Sequence, residues 1–167
     1  MHNKDMKKSI SIPTKLIAPC GMNCRLCRAY DRDKNTCPGC RGDDDLKSHY
    51  CVTCKISRCE EAQRGKFKYC FLCDRYPCKR LRQLDKRYRS KYGMSMIGNL
   101  DEIKRLGVRR FVRNQKERWV CPGCGMLLCV HKPQCLFCGY GWQAKRTDSL
   151  ESDDKALPVG PGKKACR

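Results

Sequence analysis

The chain has 167 residues, with 17 cysteines and 37 lysines and arginines against 17 acidic residues, for a formal net charge of +20. A complete (βα)8 barrel takes roughly 250 residues, so the length excludes enzymes built on that barrel, such as the large radical enzymes. Residues 1–18 lack the apolar stretch of a signal peptide, and no segment approaches the ~20 apolar residues of a membrane span. A cytoplasmic, reducing location is therefore expected, where clustered cysteines bind metal or do redox chemistry.

Cysteine and charge divide the chain into five segments. In order, these are an N-terminal tail (1–19), a cysteine-rich metal-binding module (20–78), a basic helical segment (79–118), a C-terminal zinc ribbon (119–142) and a disordered tail (143–167) with a free thiol at Cys166. Apolar residues other than cysteine are few, so metal must help to hold the core. The predicted fold is a small metal-stabilised α+β protein with zinc-knuckle modules, a basic helical segment and a zinc ribbon.

The cysteine-rich module opens with PCGMNCRLCRAY, whose cysteines have C-x3-C-x2-C spacing (Cys20, Cys24 and Cys27). Radical enzymes that use S-adenosylmethionine hold a 4Fe–4S cluster with this spacing. However, Leu26 stands where those enzymes usually have an aromatic residue, and the many further cysteines would close the open iron. The motif therefore predicts the first half of a multi-thiolate metal site.

The module contains eleven cysteines, which sequence alone does not divide among metals. The pairs Cys24-x2-Cys27 and Cys37-x2-Cys40 suit one compact four-thiolate site. A second group comprises Cys54, Cys59, Cys70, Cys73 and Cys78, with Cys20, Cys51 and His49 as further candidates. Zinc is predicted, with three sites in the chain, and one iron–sulfur cluster in this module is the alternative, because four thiolates bind either.

Residues 79–92 have the pattern of a basic amphipathic helix, and the sequence GMS that follows predicts its end. The residues predicted to contact nucleic acid are Lys79, Arg80, Arg82, Lys86, Arg87, Arg89 and Lys91. Tyr88 and Tyr92, or exposed residues of the knuckles, are candidates for stacking on unpaired bases.

The rest of the basic segment is predicted to be helical, in two pieces separated by Gly107. Asn99 is the predicted N-cap of the first piece. The candidate buried residues are Leu100, Ile103, Leu106, Phe111 and Trp119.

The clearest metal motif is CPGCGMLLCVHKPQCLFCGY. Its two C-x2-C-G turns supply four thiolates, those of Cys121, Cys124, Cys135 and Cys138. Four thiolates close a tetrahedral zinc site, so this zinc is predicted to be structural and not catalytic. Cys129 and His131, between the turns, are weaker candidates.

Together these motifs resemble the domain-of-unknown-function 3795 family, whose members are cysteine-rich and described as zinc-binding. The matching stretches, between Cys20 and Tyr140, are APCGMNCRLCRAY, CPGC, CKISRC, YCFLCDRYPC, KYGMSMIGNLDEIKRLGVRRF and WVCPGCG…H…CLFCG. The resemblance implies metal ligation by the cysteines named above, with Cys51 and Cys129 additional to the pattern. It implies no reaction, because the family has none established.

The positive charge predicts a polyanionic partner, and the favoured function is a non-catalytic zinc-binding protein that binds RNA or a ribonucleoprotein. An acidic protein would suit the charge too, which gives the alternative of a zinc-stabilised adaptor. The clustered thiols allow another alternative, an iron–sulfur or thiol redox protein. Catalysis is not favoured, because paired carboxylates, a Ser-His-Asp arrangement and a glycine-rich phosphate loop are all missing.

Overall fold

The computed structural model describes residues 10–142, which contain five α-helices and three 3-10 turns. The helices are α1 (His49–Val52), α2 (Glu60–Arg64), α3 (Lys79–Tyr92), α4 (Met96–Leu106) and α5 (Val108–Trp119). The 3-10 turns are Thr14–Leu16, Cys24–Leu26 and Cys70–Leu72. The predicted tail 143–167 and its Cys166 lie outside the described residues.

Strand pairing within residues 10–142 is limited to three isolated antiparallel bridges, at Ile17–Asn23, Val120–Leu127 and Gln134–Gly141. The described chain is therefore helix-rich, and the β component of the predicted α+β class is reduced to single bridges. Each bridge closes a loop that contains at least one cysteine, and loops this short leave no room for a longer ladder.

Helix α3 has the limits that the sequence predicts. Leu81 is buried and Leu84 half-buried on its inner face. The helix ends at Gly93, whose φ of +60° is left-handed and whose N–H donates to the carbonyl oxygen of Arg89 at 3.2 Å. Glycine adopts this conformation without the steric cost of a Cβ, so the GMS sequence ends the helix as expected.

Ser95 caps α4, and the predicted cap at Asn99 is wrong. The Ser95 hydroxyl accepts a hydrogen bond from a backbone N–H of the first turn and donates one to Oδ1 of buried Asp85 at 2.8 Å. Asn99 lies inside the helix, and its amide donates to the carbonyl oxygen of Gly21 at 2.9 Å. The helix begins early because Met96 is fully buried and extends the apolar face by one turn.

Gly107 separates α4 from α5, as the sequence predicts, with a φ of +80°. In α5 the buried side chains recur every four residues, at Phe111, Gln115 and Trp119. Leu106 was predicted to be buried but is exposed, because α4 ends there and the chain turns away from the core.

One hydrophobic core joins the N-terminal module, the helices and the ribbon. Its fully buried members include Ile17, Leu26, Leu100, Phe111 and Val130. The segment assigned to an N-terminal tail contributes to this core through Ile12, Leu16, Ile17 and Ala18. The cysteine-bearing regions are therefore held in place by a shared apolar centre.

Candidate metal centres

The four cysteines of the predicted zinc ribbon come together in the structure. Their sulfur atoms all lie within 4.8 Å of one another, and the Sγ–Sγ distance is 3.6 Å both for Cys121–Cys138 and for Cys124–Cys135. Tetrahedral zinc with Zn–S bonds of about 2.3 Å places its sulfurs about 3.8 Å apart. The donor set and its spacing therefore fit one zinc ion.

Two equivalent turns position these sulfurs. The N–H of Gly125 donates to the carbonyl oxygen of Cys121 at 2.8 Å, and that of Gly139 donates to Cys135 at 3.0 Å. The φ angles of the two glycines are +75° and +73°, in the region that L side chains rarely adopt. The glycine after each cysteine pair is thus required by the backbone geometry of the turn.

The electrostatics of the ribbon favour the thiolate form of Cys121. Burial raises the pKa of this thiol, but the backbone N–H groups of Gly123 and Cys124 and the neighbouring sulfurs outweigh burial and lower the pKa to about 7. The Met126 N–H lowers the pKa of Cys124, but burial and the neighbouring sulfurs outweigh it and raise this pKa to about 12. Zinc, which binds the thiolate, would therefore have to displace the proton from Cys124.

The cysteines of the first predicted N-terminal site influence one another but are less tightly grouped. Burial raises the pKa of Cys24 to about 12, and the charges of Cys40, Cys27 and Cys37 add to the shift. The backbone N–H of Cys40 donates to Sγ of Cys24 at 3.4 Å. Among residues 10–142, the ribbon is the only group of three or more such side chains whose donor atoms all lie within 4.8 Å. A shared metal at these four cysteines stays a prediction.

A cavity of about 670 Å³ collects most of the second predicted group. The cysteines that line it are Cys59, Cys70, Cys73 and Cys78. Burial raises the pKa of Cys70 to about 12, and the charges of the other three add to the shift. Cys54, Cys51 and His49 do not line this cavity, and Cys51 is exposed.

Two cysteine turns share a geometry that the cysteine spacing alone did not reveal. Residues 24–30 and 70–76 both read C-x-L-C-x-x-Y and both begin with a 3-10 turn. In each, the tyrosine N–H donates to the carbonyl oxygen of the second cysteine at 2.9 Å. Aligning the two segments with each other would have found this unit, which occurs once in each N-terminal cysteine group.

Cys20 lies between the two groups. Burial raises its pKa well above the usual range, and the charges of Cys40, Cys24 and Cys70 add to the shift. The neighbours thus come from both groups, and the structure assigns Cys20 to neither.

Cys129 and His131 lie outside the sulfur group of the ribbon, and Cys129 is fully buried. The His131 ring packs against the rings of Tyr88 and Tyr92, with Nε2 3.0 Å from the Tyr88 hydroxyl oxygen. Nδ1 accepts the backbone N–H of Arg28 at 3.5 Å. Burial lowers the pKa of His131. This histidine therefore connects the ribbon segment to α3 and to the N-terminal module.

The three long helices carry a strongly positive surface. All seven basic residues of α3 predicted to contact nucleic acid are exposed. Seven further exposed basic residues lie on α4 and α5: Lys104, Arg105, Arg109, Arg110, Arg113, Lys116 and Arg118. Ion pairs involve Arg89 with Asp85 at 2.9 Å and Arg118 with Glu102 at 3.6 Å.

The fold and the grouped sulfurs define a small helix-rich protein with a cysteine cluster that could bind a metal. Residues 16–83 match the family described as Protein of unknown function (DUF3795). The match confirms the resemblance for the N-terminal module and the start of α3, while its extension to residue 140 stays a prediction. No curated protein and no solved structure matches the chain. In the described part of the chain, every helix is too short or too polar to cross a membrane.

Proposed function

We propose that the protein is a non-catalytic, zinc-stabilised protein that binds RNA through the basic surface of α3. The observation that carries the proposal is the exposure of all seven lysine and arginine side chains of this helix. Side chains of this kind neutralise phosphates and release the condensed counterions of a nucleic acid, which is the main source of sequence-independent affinity.

Arg82, Lys86 and Arg87 are the central residues of this surface. Among the described residues, none of the three forms an ion pair, whereas Arg89 pairs with Asp85. Their charge is therefore available to phosphate without first breaking an ion pair, and the Arg87 guanidinium lies 6.0 Å from the centre of the Tyr88 ring.

In this proposal, exposed side chains of the ribbon stack on unpaired bases. Leu136 and Phe137, at the tip of the second cysteine turn, are 48% and 51% exposed. Tyr88 and Tyr92, the other stacking candidates from the sequence, are half-buried, and their rings already pack against His131. Phe137 is consequently the better platform for an unpaired base, and its ring lies in a turn that zinc would hold rigid.

Zinc in the ribbon has a structural role in this proposal. Four thiolates fill a tetrahedral coordination sphere, so no position is open for a substrate. The ribbon contributes Cys121, Cys135 and Val130 to the shared core, so metal binding there supports the whole fold. In this proposal the metal stabilises the fold, and the basic and aromatic side chains contact the RNA.

The test is a comparison of two triple variants with equal net charge. Arg82→Gln, Lys86→Gln and Arg87→Gln remove three charges from α3, and Arg109→Gln, Arg110→Gln and Arg113→Gln remove three from α5 as the matched control. Affinity for a labelled RNA hairpin with a single-stranded loop is measured by fluorescence anisotropy over a range of salt concentrations. The α3 variant is expected to weaken binding and to reduce the salt slope by about 2, at about 0.7 per phosphate contact.

Three outcomes would overturn the proposal. One is wild-type protein that does not bind the hairpin at low salt. Another is an α3 variant that binds like the control variant, which would show that only net charge matters. The last is a native complex, isolated with the full chain, that survives nuclease treatment, which would favour an acidic protein partner.

A further inference from the structure

The cavity between α2 and the start of α3 is surrounded by thiols. Four cysteines from one short stretch of the chain line it: Cys59, Cys70, Cys73 and Cys78. Its volume is about 670 Å³, in the range of cofactor and small-ligand sites. Four cysteines therefore surround a space far larger than one metal ion needs.

The spacing of these sulfurs differs from that of the ribbon. In the ribbon all four sulfur atoms lie within 4.8 Å of one another, which suits a single ion. The four sulfur atoms around the cavity do not meet this limit. An iron–sulfur cluster binds its thiolates through different iron atoms, so the sulfurs stand apart around the cluster.

The charged residues of the cavity walls suit an anion. Ile56, Phe67 and Leu81 add apolar surface. The basic lining residues outnumber the acidic ones: Lys55, Arg58, Arg75, Lys79 and Arg80 against Glu60 and Glu61. A cluster with four thiolate ligands carries net negative charge, and nearby positive charge stabilises it.

The sulfur positions are fixed by contacts outside the cavity. The N–H of Cys70 donates to the carbonyl oxygen of Pro19 at 2.9 Å, and the Tyr76 hydroxyl donates to Oδ1 of Asp101 at 2.8 Å. Cys78 is the N-cap of α3. The cavity is therefore held open by the N-terminal segment and by α4.

We propose that Cys59, Cys70, Cys73 and Cys78 bind an iron–sulfur cluster in this cavity. The ribbon, with its converged sulfurs, binds zinc in the same chain. This inference does not rest on RNA binding, because none of the three α3 residues substituted in the RNA-binding test lines the cavity.

The test uses full-length protein expressed and purified without oxygen, together with two serine variants. Cys73→Ser is expected to abolish iron, acid-labile sulfide and visible absorption while zinc is retained. Cys51→Ser, at an exposed cysteine that does not line the cavity, is the matched control and is expected to leave iron, sulfide and zinc unchanged. Wild-type protein with zinc but no sulfide, or with iron that Cys73→Ser does not remove, would overturn the proposal.

A second measurement needs no variant and covers the case in which Cys73→Ser does not fold. Wild-type protein is treated with iodoacetamide before and after the iron is removed with an iron chelator, and modified cysteines are mapped by mass spectrometry. The four cavity cysteines should become reactive together when iron is lost, while the ribbon cysteines stay protected by zinc. Cavity cysteines that react equally before and after chelation would overturn the proposal.

Discussion

The ribbon and the thiol-lined cavity solve the problem of holding four cysteines in different ways. In the ribbon, two short turns with identical backbone hydrogen bonds bring all four sulfurs within 4.8 Å of one another. Around the cavity of about 670 Å³, Cys59 is the N-cap of α2 and Cys78 is the N-cap of α3. Cys70 and Cys73 lie at the two ends of a 3-10 turn. The ribbon therefore holds its sulfurs in one tight group, whereas the cavity cysteines surround a larger space.

Cysteine spacing does not distinguish the two regions. Cys70-x2-Cys73-x4-Cys78 and Cys121-x2-Cys124-x4-Cys129 have the same spacing. Yet Cys78 lines the cavity, whereas Cys129 is fully buried outside the sulfur group of its own region. The role of the third cysteine is therefore decided by the helix or loop that follows it and not by the spacing.

The largest expected effect is on the free energy of unfolding, which should fall when a proposed metal ligand is substituted but not when a surface thiol is. Cys135→Ser removes a buried ribbon ligand and should destabilise the protein by more than about 4 kcal/mol, because a structural zinc supplies a large share of the folding energy. Urea unfolding and zinc content are the measurements. Cys51→Ser, at an exposed cysteine, is the control and should change stability by less than about 0.5 kcal/mol. Equal stability of the two variants would contradict a structural ribbon metal.

The next effect tests whether the two regions fold as one unit. Trp119 ends α5 beside the ribbon, is 1% exposed and packs edge-on against Trp142 with a centroid distance of 5.2 Å. Trp119→Ala should cost about 3–5 kcal/mol through loss of buried area and a residual cavity.

The control for Trp119→Ala is Leu106→Ala, on the exposed end of α4, which should cost about 0.5 kcal/mol or less. Because ribbon and N-terminal module share the core, circular dichroism and metal release should report a single transition in Trp119→Ala. Separate transitions for the ribbon and the cavity would contradict a shared core.

The smallest effect concerns the contact that joins the regions. Burial lowers the pKa of His131, so between the usual pKa of about 6.5 and the lower folded value the unfolded chain binds more protons. Stability from neutral His131 is therefore present above about pH 6.5 and is lost as the pH falls. His131→Phe keeps the packing against Tyr88 and Tyr92 and should remove this pH dependence.

The measurement is the difference in unfolding free energy between wild type and His131→Phe at several pH values. It should be about 0.5–1.5 kcal/mol at pH 7.5, the contribution of one hydrogen bond, and should shrink toward pH 5.5. Tyr88→Phe removes the same hydrogen bond but leaves the histidine, so it should retain the pH dependence of wild type. A difference that is independent of pH would contradict the buried, neutral ring.

The features that the sequence predicts correctly depend on residues that lie close together in the chain. The limits of α3, the break at Gly107 and the grouping of the four ribbon cysteines each follow from local turn chemistry or helical periodicity. The start of α4 does not follow from local patterns, because Ser95 and Asn99 both suit an N-cap and the burial of Met96 decides between them.

Contacts distant in sequence were beyond the reach of local patterns. The contact of His131 with Tyr88 spans 43 residues, and the hydrogen bond from Cys70 to Pro19 joins positions 70 and 19. The cavity depends on such contacts, so the sequence named its cysteines without indicating which of them face one another. The exposed position of Leu106 is a further case, since only the path of the chain after α4 places it outside the core.

The ribbon and the cavity are proposed to hold different metals. This is tested by measuring zinc, iron and acid-labile sulfide in wild-type protein purified without oxygen. We expect zinc, together with iron and sulfide in equal molar amounts, and a visible absorption band. Colourless protein that contains zinc alone would contradict it, because the cavity would then be a second zinc site like the ribbon.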